Sequence, residues 1–307
     1  MTDNVRKLVD IATGQHGAIA PHQARLVGLS TRQLRSRVQS GILQSVGTHV
    51  VRSPFVEATP LAELAAFILD CGDGAVASGP TAAALLEFDG FVLAPPFHAT
   101  IPRGRSIERP GHFIHTTGVL DPVDRTRIHG IPTMTAARCL TDLPKYCRTP
   151  ELTVALDSAL RDRRVTEVDL HERIAALRSS GRYGIPNLLD VIEGCEVTRG
   201  GHSWLERRFM MLCADAGVPA PNPQVVLAEA RNRIVRVDFE FPGTPVIVEV
   251  LGYAAHRGNR AQFARDAERL NALVMRGKRP LQFTYEHVTL EPDWVAAQVI
   301  EALGLAA

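Results

Sequence analysis

Three strand-like runs in the last third of the chain constrain its fold more than any other feature. They read PQVVLAEA, RIVRVDFEF and PVIVEVLG, and the helical segment HSWLERRFMMLCADAG precedes them. A basic helical stretch (NRAQFARDAERLNALVMRG), a further strand-like run (PLQFTYEHV) and an amphipathic segment (DWVAAQVIEALG) come after them. Because strands and amphipathic helices each have to bury an apolar face, this order predicts an α/β/α domain over residues 186–307.

Glu249 is the most informative residue of that domain. It lies in PVIVEVL, a run that is otherwise apolar and typical of a strand buried on both faces. An unpaired carboxylate there is strongly unfavourable, so we expect a compensating cation, an arginine or a metal ion beside it. Ten residues separate Glu249 from Asp238, which lies on the polar face of the preceding run. Two acids on neighbouring strands can chelate one divalent ion through their oxygen atoms.

The first 57 residues have the pattern of a helix, a second helix, a turn, a third helix and a hairpin. The second helix runs from Ala18 to Val27, and Ser30 or Thr31 can cap the third, TRQLRSRVQSG. The run ILQSVGTHVVRS alternates around Gly47 as a short β-hairpin does. This order predicts a winged-helix DNA-binding domain or, alternatively, a small three-helix domain that docks on the rest of the chain or on a partner protein.

The third helix is the candidate recognition helix for double-stranded DNA. Arginine can pair with guanine, glutamine with adenine, and hydroxyl groups with phosphates. Residues 1–60 hold seven Lys and Arg against three Asp and Glu, a basic surplus that is compatible with nucleic acid. The candidate contacts are Thr31, Arg32, Gln33, Arg35, Ser36 and Arg37 on this helix, with Arg25 and Arg52 flanking the phosphate track.

A second basic segment lies over residues 255–279, which hold seven Lys and Arg against two Asp and Glu. Its arginines suit phosphate contacts, and they suit a solvated helix face equally well. Asp266 and Arg269 are three residues apart, a spacing that also fits an ordinary salt pair within one helix. The arginines in question are Arg257, Arg260, Arg265 and Arg269.

Residues 58–185 are predicted to form a mixed α+β region. Apolar helical segments (LAELAAFIL, PTAAALLEF) precede two short strands (FHATIPRG, HFIHTTGV), and further helical segments come next, including residues 168–177. A chain of 307 residues with 45% hydrophobic and 22% charged residues has ordinary globular composition and room for about two domains. It has no apolar stretch near the roughly 18 residues of a membrane helix and no secretory signal, so we expect a cytoplasmic protein without membrane contact.

The N-terminal segment resembles the winged helix of AbiEi-type antitoxins of type IV toxin–antitoxin systems. The stretches SGPTAAALLEFDG and HGIPTMTAARCLTDL resemble the region C-terminal to that winged helix in many actinobacterial proteins. In that family the winged helix binds DNA and can repress transcription. The resemblance therefore implies double-stranded DNA as a partner, and a cognate toxin or other protein as a further one.

The C-terminal segment, over about residues 200–290, resembles the PD-(D/E)XK nuclease superfamily and, within it, proteins related to very-short-patch-repair endonucleases. The resemblance rests on Ser203-x-x-Glu206, on the Asp238-x10-Glu249 pair and on VDFEFPGTPVIVEVLGYAAH. It implies that the two acidic strand residues, Glu206 and the Val250 carbonyl hold Mg²⁺ or Mn²⁺. His256 would assist at the scissile phosphate or at the attacking water.

The chain departs from that superfamily two residues after Glu249. Relatives read E-V-D-G and the wider superfamily reads E-x-K, whereas this chain reads Glu249-Val250-Leu251-Gly252. Leu251 can neither bind a metal nor move a proton. Two functions stay open: a metal-dependent DNA endonuclease or nickase that uses Asp238, Glu249 and His256, and a non-catalytic regulator of antitoxin type that keeps a degenerate nuclease fold.

The sequence thus predicts a multidomain α+β and α/β chain in three parts. A winged helix-turn-helix covers residues 1–57, a mixed α+β region covers 58–185, and a restriction-endonuclease-like α/β/α domain covers 186–307.

Overall fold

The computed structural model describes residues 3–178, 184–199, 203–230, 233–251 and 260–305. The chain divides into two compact units, Met1–Thr166 (unit 1) and Glu167–Ala307 (unit 2). Helices and sheets occur in both units, so the fold is multidomain and mixes α and β structure. Within the described ranges, no helix has the length and apolar character needed to cross a membrane.

Unit 1 begins with three helices and a small antiparallel sheet of strand order β1-β3-β2. Its helix α3 starts at Thr31 because Ser30 and Gln33 cap it reciprocally. The Ser30 hydroxyl accepts the Gln33 N–H (3.2 Å), and the Gln33 side-chain oxygen accepts the Ser30 N–H (2.8 Å). The elements are α1 (Asp3–Thr13), β1 (Ala18–Ile19), α2 (Pro21–Leu26), α3 (Thr31–Gln39), β2 (Gln44–Ser45) and β3 (Val51–Arg52).

The remainder of unit 1 surrounds a five-stranded sheet of order β6-β5-β4-β8-β7. Strands β5 and β6 fall within the two runs predicted from sequence, whereas β4, with two residues, is too short to show a pattern. The elements are α4 (Pro60–Asp70), β4 (Val76–Ala77), α5 (Gly79–Leu85), β5 (His98–Pro102), β6 (Phe113–Thr117), β7 (Arg125–Ile128), β8 (Ile131–Met134), α6 (Ala136–Asp142) and α7 (Thr149–Arg161).

The beginning of unit 1 is fixed to α4 by both apolar and polar contacts. Ala18 and Val50 pack against Ala66 of α4. At the end of α4, the Asp70 carboxylate accepts the N–H groups of Thr48 (3.0 Å) and His49 (2.7 Å), which lie in the β2–β3 turn. Residues 1–57 and 58–166 therefore belong to one compact unit, although the sequence suggests separate parts.

Arg138 of α6 lies in the interior of unit 1 as part of a buried ion cluster. Only 1% of its side chain is exposed. Its guanidinium pairs with Asp124 (Nη1–Oδ2, 3.2 Å) and Asp142 (Nε–Oδ2, 3.1 Å), and it also donates to the Val119 carbonyl (3.2 Å). Lys145 pairs with the other oxygen of Asp142 (2.7 Å). Each buried charge thus has an opposite charge in contact.

Unit 2 contains a four-stranded sheet of order β12-β11-β10-β9. Strands β9, β10 and β11 are antiparallel neighbours, and β12 runs parallel to β11 after the crossover helix α11. The elements are α8 (Glu167–Leu177), α9 (Ile185–Arg199), α10 (Trp204–Asp215), β9 (Asn222–Ala230), β10 (Arg233–Glu240), β11 (Val246–Leu251), α11 (Arg260–Met275), β12 (Arg279–Thr284), α12 (Tyr285–Leu290) and α13 (Pro292–Leu303).

Two features of unit 2 differ from the sequence-based expectation. The predicted strand PLQFTYEHV ends at Thr284, whose hydroxyl accepts the His287 N–H (3.3 Å) and so begins α12. Helix α8, expected in the middle region, belongs to unit 2. Its His171 ring stacks on Trp204, with ring centroids 3.7 Å apart, and its Nδ1 lies 2.6 Å from the Tyr285 hydroxyl. The unit boundary therefore falls after Thr166 rather than near residue 185.

Candidate functional site

Glu249 lies on β11 with 3% of its surface exposed, and its carboxylate is neutralised by an arginine. Arg269 of α11 reaches it with both terminal nitrogens: Nη1 lies 2.8 Å from Oε1, and Nη2 donates to Oε2 at 2.8 Å. The side-chain amide of Gln282, the register partner of Glu249 on β12, also donates to Oε2 (3.0 Å). Among the three kinds of compensation expected from sequence, the described residues supply the arginine.

Asp238 lies on β10 and fastens that strand to β11. Its Oδ2 accepts the N–H of Val250 at 2.9 Å, beyond the pairing of Phe239 with Val248. Burial raises the pKa of Asp238, and the negative charges of Glu206 and Glu249 raise it further, whereas the N–H of Val250 acts in the opposite direction. The charges of Glu206 and Glu249 thus both act on the Asp238 carboxyl group.

Glu206 lies in the first turn of α10, where the hydroxyl of Ser203 accepts its N–H (3.2 Å). Its carboxylate accepts a hydrogen bond from the side-chain amide of Gln224 (2.7 Å). Within the described ranges, no three His, Cys, Asp or Glu side chains form a group that could hold a metal ion. The carboxylates of Glu206 and Glu249 accept hydrogen bonds from Gln224, Gln282 and Arg269, and Oδ2 of Asp238 accepts the Val250 N–H. In the described part of the chain these acids therefore do not fit a Mg²⁺ or Mn²⁺ site.

The remaining residues predicted for this region have mixed outcomes. His256 and Arg257 lie outside the described residues. Arg260 begins α11, and Arg265 is exposed on the same helix. The sequence predicts Arg269 as a phosphate contact or an i, i+3 partner of Asp266, but its guanidinium contacts Glu249 and the Arg236 carbonyl (3.2 Å).

Helix α3 presents a basic face, formed by Arg32, Arg35 and Ser36, which are all exposed. Leu34 on the opposite side is 4% exposed and packs in the apolar cluster of the first three helices. Gln33, expected to read bases, uses its side-chain oxygen to cap the helix. Arg37 is half-buried and donates to the Gln33 carbonyl (3.2 Å). Thr31 at the start of α3 and Arg25 on α2 are exposed as predicted.

Arg52 does not lie on this surface. It is 4% exposed and lines a cavity beside α4, so its placement along a phosphate track is corrected. The reason is that β3 is the central strand of its sheet. Val51 faces the core of the helices, and Arg52, one residue on, points to the other side of the sheet. The apolar neighbours in HVVRS are the sequence signal for this burial.

Comparisons with known proteins give relatives without an assigned activity. No protein-family model matches the chain. Two proteins of Mycobacterium tuberculosis, described as uncharacterized proteins MT2308 (strain CDC 1551 / Oshkosh) and Rv2248 (strain ATCC 25618 / H37Rv), are each 27% identical over 281 residues. The alignment covers 91% of this chain and 98% of each relative. Among solved structures, that of the RV2827C protein from Mycobacterium tuberculosis is similar with a TM-score of 0.32 and 12% identity, covering 63% of this chain and 82% of that chain.

Proposed function

We propose that this chain is a non-catalytic DNA-binding regulator whose N-terminal winged helix contacts double-stranded DNA through α3. The observation that carries the proposal is the basic face of α3, where Arg32 and Arg35 are exposed on a helix that comes after α2 and precedes the β2–β3 hairpin. In winged-helix proteins a helix in this position enters the major groove. Arginine side chains there pair with guanine or with phosphates.

The C-terminal unit has a supporting role in this proposal. Its elements follow the order predicted from sequence, with antiparallel strands, a helix and a further strand, but Glu249 pairs with Arg269, and Asp238 accepts the Val250 N–H. These contacts support a stable fold in which the described acids are committed to protein partners rather than to metal chemistry. A cognate toxin or another protein is the second proposed partner, and the cytoplasm is where the regulator would meet DNA.

DNA binding by α3 predicts a specific effect of Arg32→Ala and Arg35→Ala. Each substitution is expected to weaken binding to a duplex from the gene's own promoter about 10-fold or more, because an arginine contact to a base contributes roughly 1–3 kcal/mol. Electrophoretic mobility shift at several salt concentrations measures both the affinity and its salt dependence. Arg103→Ala, an exposed arginine elsewhere in unit 1, is the matched control and should bind as wild type. If the double variant Arg32→Ala/Arg35→Ala keeps the wild-type affinity for DNA and the same dependence of affinity on salt, the proposal is contradicted.

A metal-dependent endonuclease or nickase is the second candidate, favoured by the raised pKa of Asp238, to which the charges of Glu206 and Glu249 contribute. Because Arg269 already neutralises Glu249, we expect supercoiled plasmid to stay intact when it is incubated with the protein and Mn²⁺. Agarose gel electrophoresis separates nicked from supercoiled plasmid. The variant Asp238→Asn keeps an acceptor for the Val250 N–H. Nicking that persists in Arg103→Ala and disappears in Asp238→Asn would support the endonuclease and contradict the non-catalytic regulator.

A further inference from the structure

A cavity of about 490 Å³ lies in unit 1 between the β2–β3 turn, α4 and the segment 109–112. Val46, Gly47 and Thr48 line it from the turn, and Phe67 and Asp70 line it from α4. Gly47 is required at this point, since a Cβ built on it would lie 2.8 Å from the Asp70 carboxyl carbon. The volume is in the range of sites that hold small organic ligands.

Arg52 on β3 lines this cavity with a buried and unpaired guanidinium. The residue is 4% exposed, and its Nε and Nη1 atoms are shielded from solvent without a hydrogen-bond acceptor among the described residues. Arginine stays protonated under all ordinary conditions, so it cannot relieve this by losing its proton. A buried charge normally has a partner of opposite sign. The cavity is the space from which such a partner can reach Arg52.

Neither of the acids that line the cavity, Asp70 and Glu63, forms an ion pair with Arg52 in the described part of the chain. Asp70 accepts the N–H groups of Thr48 and His49, and it forms an ion pair with Nε of Arg109. Its carboxylate is thereby committed to holding the β2–β3 turn and the segment that starts at Arg109. Glu63 is exposed in the first turn of α4, and no ion pair in the described part of the chain joins it to Arg52.

The rest of the lining suits the body of an organic anion. His112 stacks against Phe97 (centroids 5.2 Å apart) and lies 4.4 Å from the Phe67 ring. Its Nδ1 accepts the Phe97 N–H (3.0 Å), which leaves Nε2 as the ring nitrogen that can donate, and burial lowers the pKa of His112. Val46, Ala66, Phe67 and Pro110 add an apolar wall.

We propose that this cavity is a binding site for a small organic anion. A carboxylate or phosphate group of the ligand pairs with the Arg52 guanidinium, whose planar fork matches two oxygens of either group. An apolar or aromatic body of the ligand packs against Phe67 and Pro110, and His112 supplies a further donor. The site is separate from the basic face of α3 and does not depend on the proposed DNA binding.

Thermal unfolding of the full chain with benzoate, phenyl phosphate or the neutral benzyl alcohol tests this. At about 100 times Kd, a bound anion is expected to raise Tm by roughly 5 °C or more, whereas benzyl alcohol leaves it unchanged. A response to benzoate alone identifies a carboxylate site, and a response to phenyl phosphate alone identifies a phosphate site. Arg52→Met should abolish either response.

Glu63→Gln provides a variant that does not alter the interior. Removing a negative charge at the rim is expected to tighten binding about threefold, which titration calorimetry with the active probe resolves. Arg32→Ala/Arg35→Ala should keep the full response, so failure of this site and failure of the DNA-binding proposal are distinguishable. The proposal is overturned if neither anion shifts Tm in the wild-type chain, or if Arg52→Met shifts as much as wild type.

Discussion

Replacing Arg138 with leucine is expected to lower the free energy of unfolding of unit 1 by about 4 kcal/mol, within the range for breaking a buried ion pair on one side. The side chain is 1% exposed and bridges Asp124 and Asp142. Without it, the fully buried Asp124 loses its ion pair with Arg138, and Asp142 loses one of its two ion pairs in the described part of the chain. This is the largest effect that we expect from any single substitution in unit 1.

The two tryptophans of the chain, Trp204 and Trp294, both lie in unit 2, which gives a way to separate the units. In urea titrations of Arg138→Leu, circular dichroism should show an early transition that tryptophan fluorescence does not show. Arg161→Leu is the matched control, because Arg161 also bridges two aspartates but is 59% exposed. It should lose less than about 1 kcal/mol. If both variants lose the same free energy of unfolding, the burial of the Arg138 ion cluster does not increase its contribution to stability.

Arg269→Met is expected to destabilise unit 2 by about 3 kcal/mol. The substitution leaves the Glu249 carboxylate, 4% exposed, with only the Gln282 amide as a described partner. The lower end of the range for a broken buried pair applies, because the Arg269 side chain is 37% exposed. Tryptophan fluorescence should report this loss directly in urea titrations, since both tryptophans lie in the affected unit.

The second substitution Glu249→Gln distinguishes a lost ion pair from lost packing. In the Arg269→Met background it removes the unpaired charge and is expected to recover about half of the lost stability. Glu268→Ala, exposed on the same helix, serves as the control and should stay within about 0.5 kcal/mol of wild type. If Glu249→Gln brings no recovery in the Arg269→Met background, the ion pair is not the source of the loss.

The order of elements in unit 2 could be predicted because strands and amphipathic helices have different periods along the chain. The need for a partner at Glu249 was also predictable, since an acid in an apolar strand requires one. The identity of the residues that contact Glu249 could not be predicted. Arg269 is twenty residues away and reaches Glu249 only because α11 crosses back over the sheet, and Gln282 requires the parallel register of β11 and β12. Such contacts depend on tertiary packing, which leaves no local pattern.

The same limit applies at the N-terminal end. Gln33 and Arg37 stay predicted DNA contacts, but the sequence did not show that Gln33 caps α3 and that Arg37 donates to the Gln33 carbonyl. The sequence predicts Arg52 among the surface arginines because the apolar neighbours in HVVRS, the signal for its burial, flank a strand of only two residues. Its burial depends on α4, which starts eight residues later in the chain.

The buried charge of Glu249 also has a consequence for the time course of folding. Strands β9, β10 and β11 are consecutive along the chain and can pair early, whereas β12 lies beyond α11 and pairs with β11 later. Both partners of Glu249 come from this later part, Arg269 from α11 and Gln282 from β12. When only β9, β10 and β11 have paired, burying β11 therefore places the Glu249 carboxylate in the interior before Arg269 and Gln282 can contact it, which is unfavourable. We therefore expect burial of the sheet to become favourable only when the crossover closes, and the docking of α11 to limit the folding rate of unit 2.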